Sequence, residues 1–197
     1  MNTTNRVLEK QLLDSETTYL KPVYSLRDNI SLSDPATDVM TDLTKASAQT
    51  VNPCALLKEA TERMIASNVR LLFVVNQHHH IMGIITSRDV EGERVMNHLS
   101  NAGGNRDEIM VRDLMTPQFK VEVLSMEDVR GASVGDIIAT LKRMGRQHAL
   151  VSETDENGRQ VIRGVLSTTS IARQTGIEID TSDVAGGNIA NLQSGRS

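Results

Sequence analysis

The chain has 197 residues, enough for one sizeable domain or two small ones sharing a core. A net charge of −4 gives no polyanion-binding surface, and an aromatic content of 2% leaves no platform for stacking single-stranded nucleic acid. Cys54 is the only cysteine, which excludes an internal disulfide and a thiolate metal cluster within the chain.

Residues 1–35 read as a lead-in. Residues 6–13 have the pattern of a short amphipathic helix, and Pro22 with the Ser/Asp-rich stretch 31–35 favours extended chain. The first residues lack the basic-then-apolar pattern of a secretory signal. No apolar run nears the roughly 18–20 residues that span a bilayer. A cytoplasmic protein with no membrane contact is expected.

Val39-Met40-Thr41-Asp42 opens a first block, 36–99. A short strand ends at Thr50-Val51. Asn52 then suits a helix N-cap and Pro53 the first helical position, where a missing N–H costs nothing. Leu56, Leu57, Ala60, Met64 and Ile65 recur at helical spacing and predict one buried stripe. The run Leu71-Leu72-Phe73-Val74-Val75 is short, apolar and unpunctuated, as a buried strand should be. Asn76-Gln77-His78-His79-His80 is a polar hairpin turn; three consecutive histidines on a turn point in different directions, and no Cys, Asp or Glu is nearby in sequence to complete a metal site. Residues 81–85 form the return strand, and Gly83-Ile84-Ile85-Thr86-Ser87-Arg88-Asp89-Val90 runs from that strand into a second helix, 89–99.

Residues 100–110, with Gly103-Gly104, read as a flexible linker. A second block, 111–176, repeats the order from Leu114-Met115-Thr116-Pro117. Ser133 caps a helix bearing Ile137, Ile138, Leu141 and Met144. A strand around Ala149-Leu150-Val151, a turn at Gly158 and a strand over 161–166 lead to Ser167, the start of the final helix. Residues 177–197 read as a mobile tail. Each half is thus strand–helix–strand–strand–helix. Neither half buries both faces of so small a sheet alone, so an α+β fold of two small sheets backed by helices, related by a pseudo-two-fold axis, is expected.

The Gly-h-h-Thr-x-x-Asp pattern, repeated in tandem across the Val111-Arg112-Asp113-Leu114-Met115-Thr116-Pro117 junction, resembles the CBS domain pair (Bateman module) over about residues 36–176. The resemblance implies a stand-alone regulatory protein with no attached enzyme, channel or transporter. It implies an adenosine-containing ligand (AMP, ADP, ATP or S-adenosylmethionine) between the repeats, no obligatory cofactor, an unidentified effector protein, and a flat homodimer. By that resemblance Asp89 accepts hydrogen bonds from the ribose hydroxyls. Thr86 donates to ribose or phosphate, and Ser87 and Arg88 sit on the same turn, with Arg88 reaching a phosphate. Thr44-Lys45 and Arg70-Leu71 correspond to regions that contact the adenine. The chemistry is sound by itself, because an ionised carboxylate accepts strongly from a diol and a helix start attracts anions.

The second repeat keeps a hydroxyl, Ser167, but has Ser170 where Asp89 stands. One nucleotide per chain, at Thr86 and Asp89, is therefore expected. Val90, Val95, Met96 and Leu99 form an apolar stripe that would supply the dimer surface. Two other readings stay open. Thr86-x-x-Asp89 is equally a helix-capping signature, which fits a scaffold that only dimerises. An enzyme is not expected, because no nucleophile–base order, paired carboxylates or phosphate-binding Gly-x-x-x-x-Gly-Lys loop occurs.

Overall fold

The computed structural model describes residues 27–181. The short helix expected over 6–13 and the tail beyond 181 lie outside these residues. Residues 177–181 belong to the folded body, since Ile179 packs on the core and Thr181 is buried.

Among the described residues eight strands form two four-stranded sheets. In chain order the strands are β1 (Thr41–Asp42), β2 (Thr50–Val51), β3 (Leu71–Val75), β4 (Ile81–Thr86), β5 (Thr116–Pro117), β6 (Val123–Ser125), β7 (His148–Thr154) and β8 (Gln160–Ser167). The helices are α1 (Leu57–Ala66), α2 (Ser87–Glu91), α3 (Glu93–Ala102), α4 (Val111–Leu114), α5 (Met126–Gly131), α6 (Val134–Met144) and α7 (Thr168–Thr175). One sheet runs β2-β3-β4-β5 and the other β6-β7-β8-β1. The first pair in each is parallel and the others antiparallel, so the two sheets share one topology.

That topology exchanges the opening strands. β1 opens the first repeat yet pairs with β8, placing Asp42 opposite Gly164. β5 opens the second repeat yet pairs with β4, placing Pro117 opposite Gly83. The cores follow the exchange. Ala36, Val39 and Met40 pack among α5, α6, β7 and β8, whereas Ile109, Val111 and Leu114 pack with α1, β3 and β4. The sequence blocks 36–99 and 111–176 are therefore not the structural halves. The expected flexible linker is also anchored. α3 runs on to Ala102, Arg106 donates to the Val90 carbonyl at 3.1 Å, and Ile109 is buried.

Between the sheets lies a third cluster around Leu71, Phe73 and Leu150. Leu72 and Val74 face the helices instead, as the period of two along a strand requires. Both faces of β3 are covered, which is why its sequence is continuously apolar.

Local chemistry corrects several boundaries. Asn52 does not cap α1: its Oδ1 accepts the Cys54 N–H at 2.8 Å in a side-chain turn, and the helix starts four residues past Pro53, at Leu57. Its buried stripe is Leu57, Ala60 and Met64, while Ile65 stays exposed. Gly92 interrupts the predicted 89–99 helix, separating α2 from α3. Ser133 does cap α6, with Asp136 completing the reciprocal bonds. Val90 and Val95 are buried in the protein's own core, so of the stripe expected to meet a partner only Met96 is well exposed.

Candidate functional site

β4 delivers Thr86 to the start of α2 in extended conformation. The Asp89 carboxylate folds back over this junction. Its Oδ2 accepts the Thr86 N–H at 2.8 Å and the Thr86 hydroxyl at 2.7 Å. Its Oδ1 forms an ion pair with Arg94 Nη1 at 2.8 Å. The carboxylate half of the capping reading is therefore realised, while the Thr86 hydroxyl donates to Asp89 and caps no helix N–H, and one side of Oδ1 is left for anything else. Arg94 also donates to the Leu114 carbonyl at 3.0 Å, and Nη1 lies 3.4 Å from the Thr116 hydroxyl.

The opposite wall comes from the second repeat. α6 ends at Gly145 in the left-handed conformation, which turns the chain so that Arg146, Gln147 and His148 enter β7. Together these walls enclose a cavity of about 470 Å³ bearing Arg88, Arg94 and Arg146 against Asp89 and Glu93. Burial pushes the His148 imidazole down to about 4, the positive charges of Arg70 and Arg88 adding and Asp89 opposing, so the ring is neutral near pH 7.

A larger cavity of about 680 Å³ opens beside it, with His148 lining both. It contains Arg70, Leu71 and Ser87 from the first repeat and Ser167, Ser170 and Arg173 from the second. The two clefts mirror one another. The Ser87 N–H donates to the Arg70 carbonyl at 3.0 Å, and the Thr168 N–H to the Gln147 carbonyl at 2.9 Å. Arg70-Leu71 and Gln147-His148 are thus equivalent strand entries.

The eight residues singled out in the sequence do not form one site. Thr86, Arg88 and Asp89 line the smaller cleft; Ser87, Arg70 and Leu71 line the larger. Thr44 and Lys45 line neither. The Thr44 N–H and hydroxyl both donate to Asp42 Oδ1, at 2.8 and 2.6 Å, and Lys45 Nζ stands 3.9 Å from Asp42 Oδ2. The strand exchange is the cause: it carries the opening segment of the first repeat to the Ser167 side. In its place the Asp89 cleft receives Thr116 and the 146–148 entry, which sequence reasoning missed. Their signal was present, because Gly145 marks a helix end and His148 occupies the place in the second repeat that Leu71 holds in the first. Ser167, at the start of α7, makes no side-chain cap bond. His78, His79 and His80 are exposed on their turn. Among the described residues no cluster of three His, Cys, Asp or Glu side chains is placed to hold a metal ion, and no helix is long and apolar enough to cross a membrane.

The CBS domain family model matches residues 36–93. No curated protein sequence matches the chain. Solved structures with a similar fold include a CBS-domain-containing protein from Agrobacterium tumefaciens, at 19% identity over 73% of this chain and 94% of that one, with a TM-score of 0.52. An uncharacterised conserved protein from Pyrococcus horikoshii is similar at 20% identity over 72% and 92% of the two chains, with a TM-score of 0.51. An Arabidopsis thaliana CBS-pair protein, crystallised in complex with AMP, shows 20% identity over 71% and 94%, with a TM-score of 0.49. At these identities the likeness is one of fold. Residues 36–93 thus match the CBS domain model, and the chain shares the fold of a solved CBS-domain-containing protein.

Proposed function

We propose that this chain is a regulatory module that binds an adenosine-containing ligand in the Asp89 cleft and passes its occupancy to an effector protein. The observation that carries the reading is the cleft's composition from both repeats, with Thr86 and Asp89 facing Arg146 and His148. A ligand held there touches two bodies at once, so it favours the relative orientation that it fits best. The arginines suit a phosphate and the junction at Thr86 suits a sugar hydroxyl, in keeping with the ligand class that CBS pairs imply. Loss of the carboxylate at Ser170 argues for one nucleotide per chain, although the cavity on that side is the larger. A homodimer is the assembly state proposed with it.

One observation favours the rival reading of a scaffold that only dimerises. Asp89 and Thr86 satisfy one another without a ligand. A thermal-shift panel with AMP, ADP, ATP and S-adenosylmethionine separates the two. A specific ligand at 100 times its dissociation constant adds about 2.7 kcal/mol. The module reading expects one ligand to stabilise the wild type and to lose that effect in Arg146→Ala, whose side chain is on the exposed rim. A flat response across the panel supports the scaffold.

A further inference from the structure

We infer that Arg94 sets the ligand class of the Asp89 cleft, selecting a phosphorylated nucleoside over neutral and cationic relatives. The inference rests on the ligand reading above and narrows it.

A carboxylate receives a ribose diol best when both of its oxygens are free. Here Oδ2 already holds two hydrogen bonds from Thr86, which use its two lone pairs. Only Oδ1 is left, and Arg94 Nη1 sits on it at 2.8 Å. A ligand hydroxyl must share that oxygen or displace the guanidinium. For a neutral nucleoside the exchange is unfavourable, because a close ion pair is replaced by a hydrogen bond from an uncharged hydroxyl. A phosphate reverses the sign, since it offers the displaced guanidinium a stronger anion than the one it leaves. A sulfonium nucleoside such as S-adenosylmethionine offers only a carboxylate offset by its own ammonium and sulfonium charges, and a thioether nucleoside without a carboxylate offers no anion.

Arg94 is placed for this exchange. It lines both the 470 Å³ cleft and an adjoining groove of about 330 Å³, so it stands at their common lip. Its side chain is 49% exposed and keeps two neutral oxygens, of Leu114 and Thr116, within reach whichever anion it faces. Arg88 and Arg146 enter the same cleft and reinforce the preference, with Glu93 opposing. Selectivity here is a difference of affinities, and Arg94 contributes to both sides of it.

Calorimetric titration of the full chain with adenosine, AMP and S-adenosylmethionine tests this, on wild type, Arg94→Ala and Arg94→Lys. The wild type should prefer AMP to the other two by roughly tenfold or more, the size of one charge-assisted hydrogen bond. Arg94→Ala should shrink that ratio about tenfold, with AMP weakened and adenosine held or tightened. Arg94→Lys, which keeps the charge, should restore part of it. A general loosening of the site would weaken all three ligands together, and that outcome overturns the inference. So does a wild type that binds adenosine or S-adenosylmethionine as tightly as AMP, a result independent of whether the variants fold. A wild type that binds none of the three removes the ligand reading itself, and the inference with it.

Discussion

Asp89 has two possible occupations, and its protein contacts account for one of them. Removing the side chain should cost stability even without ligand: Asp89→Ala loses the cap on α2 and strands Arg94, together worth about 2 kcal/mol in a urea melt. Ser167→Ala, at the equivalent junction, should cost less than about 0.5 kcal/mol, because Ser167 makes no cap bond. Equal losses at the two positions would contradict the asymmetry. His148 gives a second test at this scale. Its folded value near 4 lies below the ordinary 6.5, so between these values the unfolded chain binds more protons. Stability is fully present above pH 6.5 and falls as pH drops towards 4, by at most about 3 kcal/mol. Replacing His148 by Gln should flatten that limb of the stability–pH curve and leave the curve above pH 7 unchanged in shape.

Strand exchange explains the glycine at the head of each motif. A Cβ on Gly83 would stand 2.3 Å from the Thr116 carbonyl oxygen, a backbone atom of β5 that cannot turn away. On Gly164 it would meet the Met40 side chain at 2.5 Å and the Thr41 carbonyl at 3.0 Å, and the thioether can swing aside. Both glycines let the other repeat's opening strand approach. Gly83→Ala should therefore cost about 2–3 kcal/mol and Gly164→Ala only about 1, an order that paired thermal melts read directly. The hairpins illustrate a similar economy of backbone. The connections at 76–80 and 155–159 are equally long, and the second hairpin's extra residues lengthen β7 and β8 instead.

For the molecule as a whole, an ion-pair network fixes the exchanged strand. Arg163 on β8 pairs with Asp42 on β1 and, at 3.1 Å, with Glu153 on β7, which lies 3.5 Å from Arg130 on α5. Burial alone would raise the Asp42 carboxyl, but the hydrogen bonds from Arg163 and Thr44 overcome it and hold the group at about 2. Its contribution is complete above the ordinary 3.8 and is lost as pH falls towards 2. Arg163→Met should cost about 2–3 kcal/mol at pH 7, because it removes the guanidinium that Asp42 and Glu153 share and leaves them the more distant Lys45 and Arg130. Its loss should shrink as the carboxylates protonate below pH 3. Since each sheet takes the opening strand of the other repeat, the two halves should melt in one transition. Calorimetric and van't Hoff enthalpies that agree would bear this out, and two resolved transitions would contradict it.

Much of this was legible in the sequence. The apolar run at Leu71, the turn at His78, the Ser133 cap and the tandem motif each rest on local chemistry or on periodicity within a few residues. The Thr86–Asp89 bond was legible for the same reason, being a contact three residues apart. The partners of β1 and β5 were not. A two-residue strand has no period to read, and its pairing is decided by which sheet edge and which core have room for Val39 and Met40 or for Ile109 and Leu114. That choice brought Thr116 to Asp89, and the packing of the sheets around Leu71, Phe73 and Leu150 set Arg146 and His148 in the Asp89 cleft and Arg70 in the cleft of Ser167. The sequence by itself determined the elements, the repeat and the cap; the tertiary structure decided which residues share a cleft, because long-range burial sets strand exchange and local pattern does not.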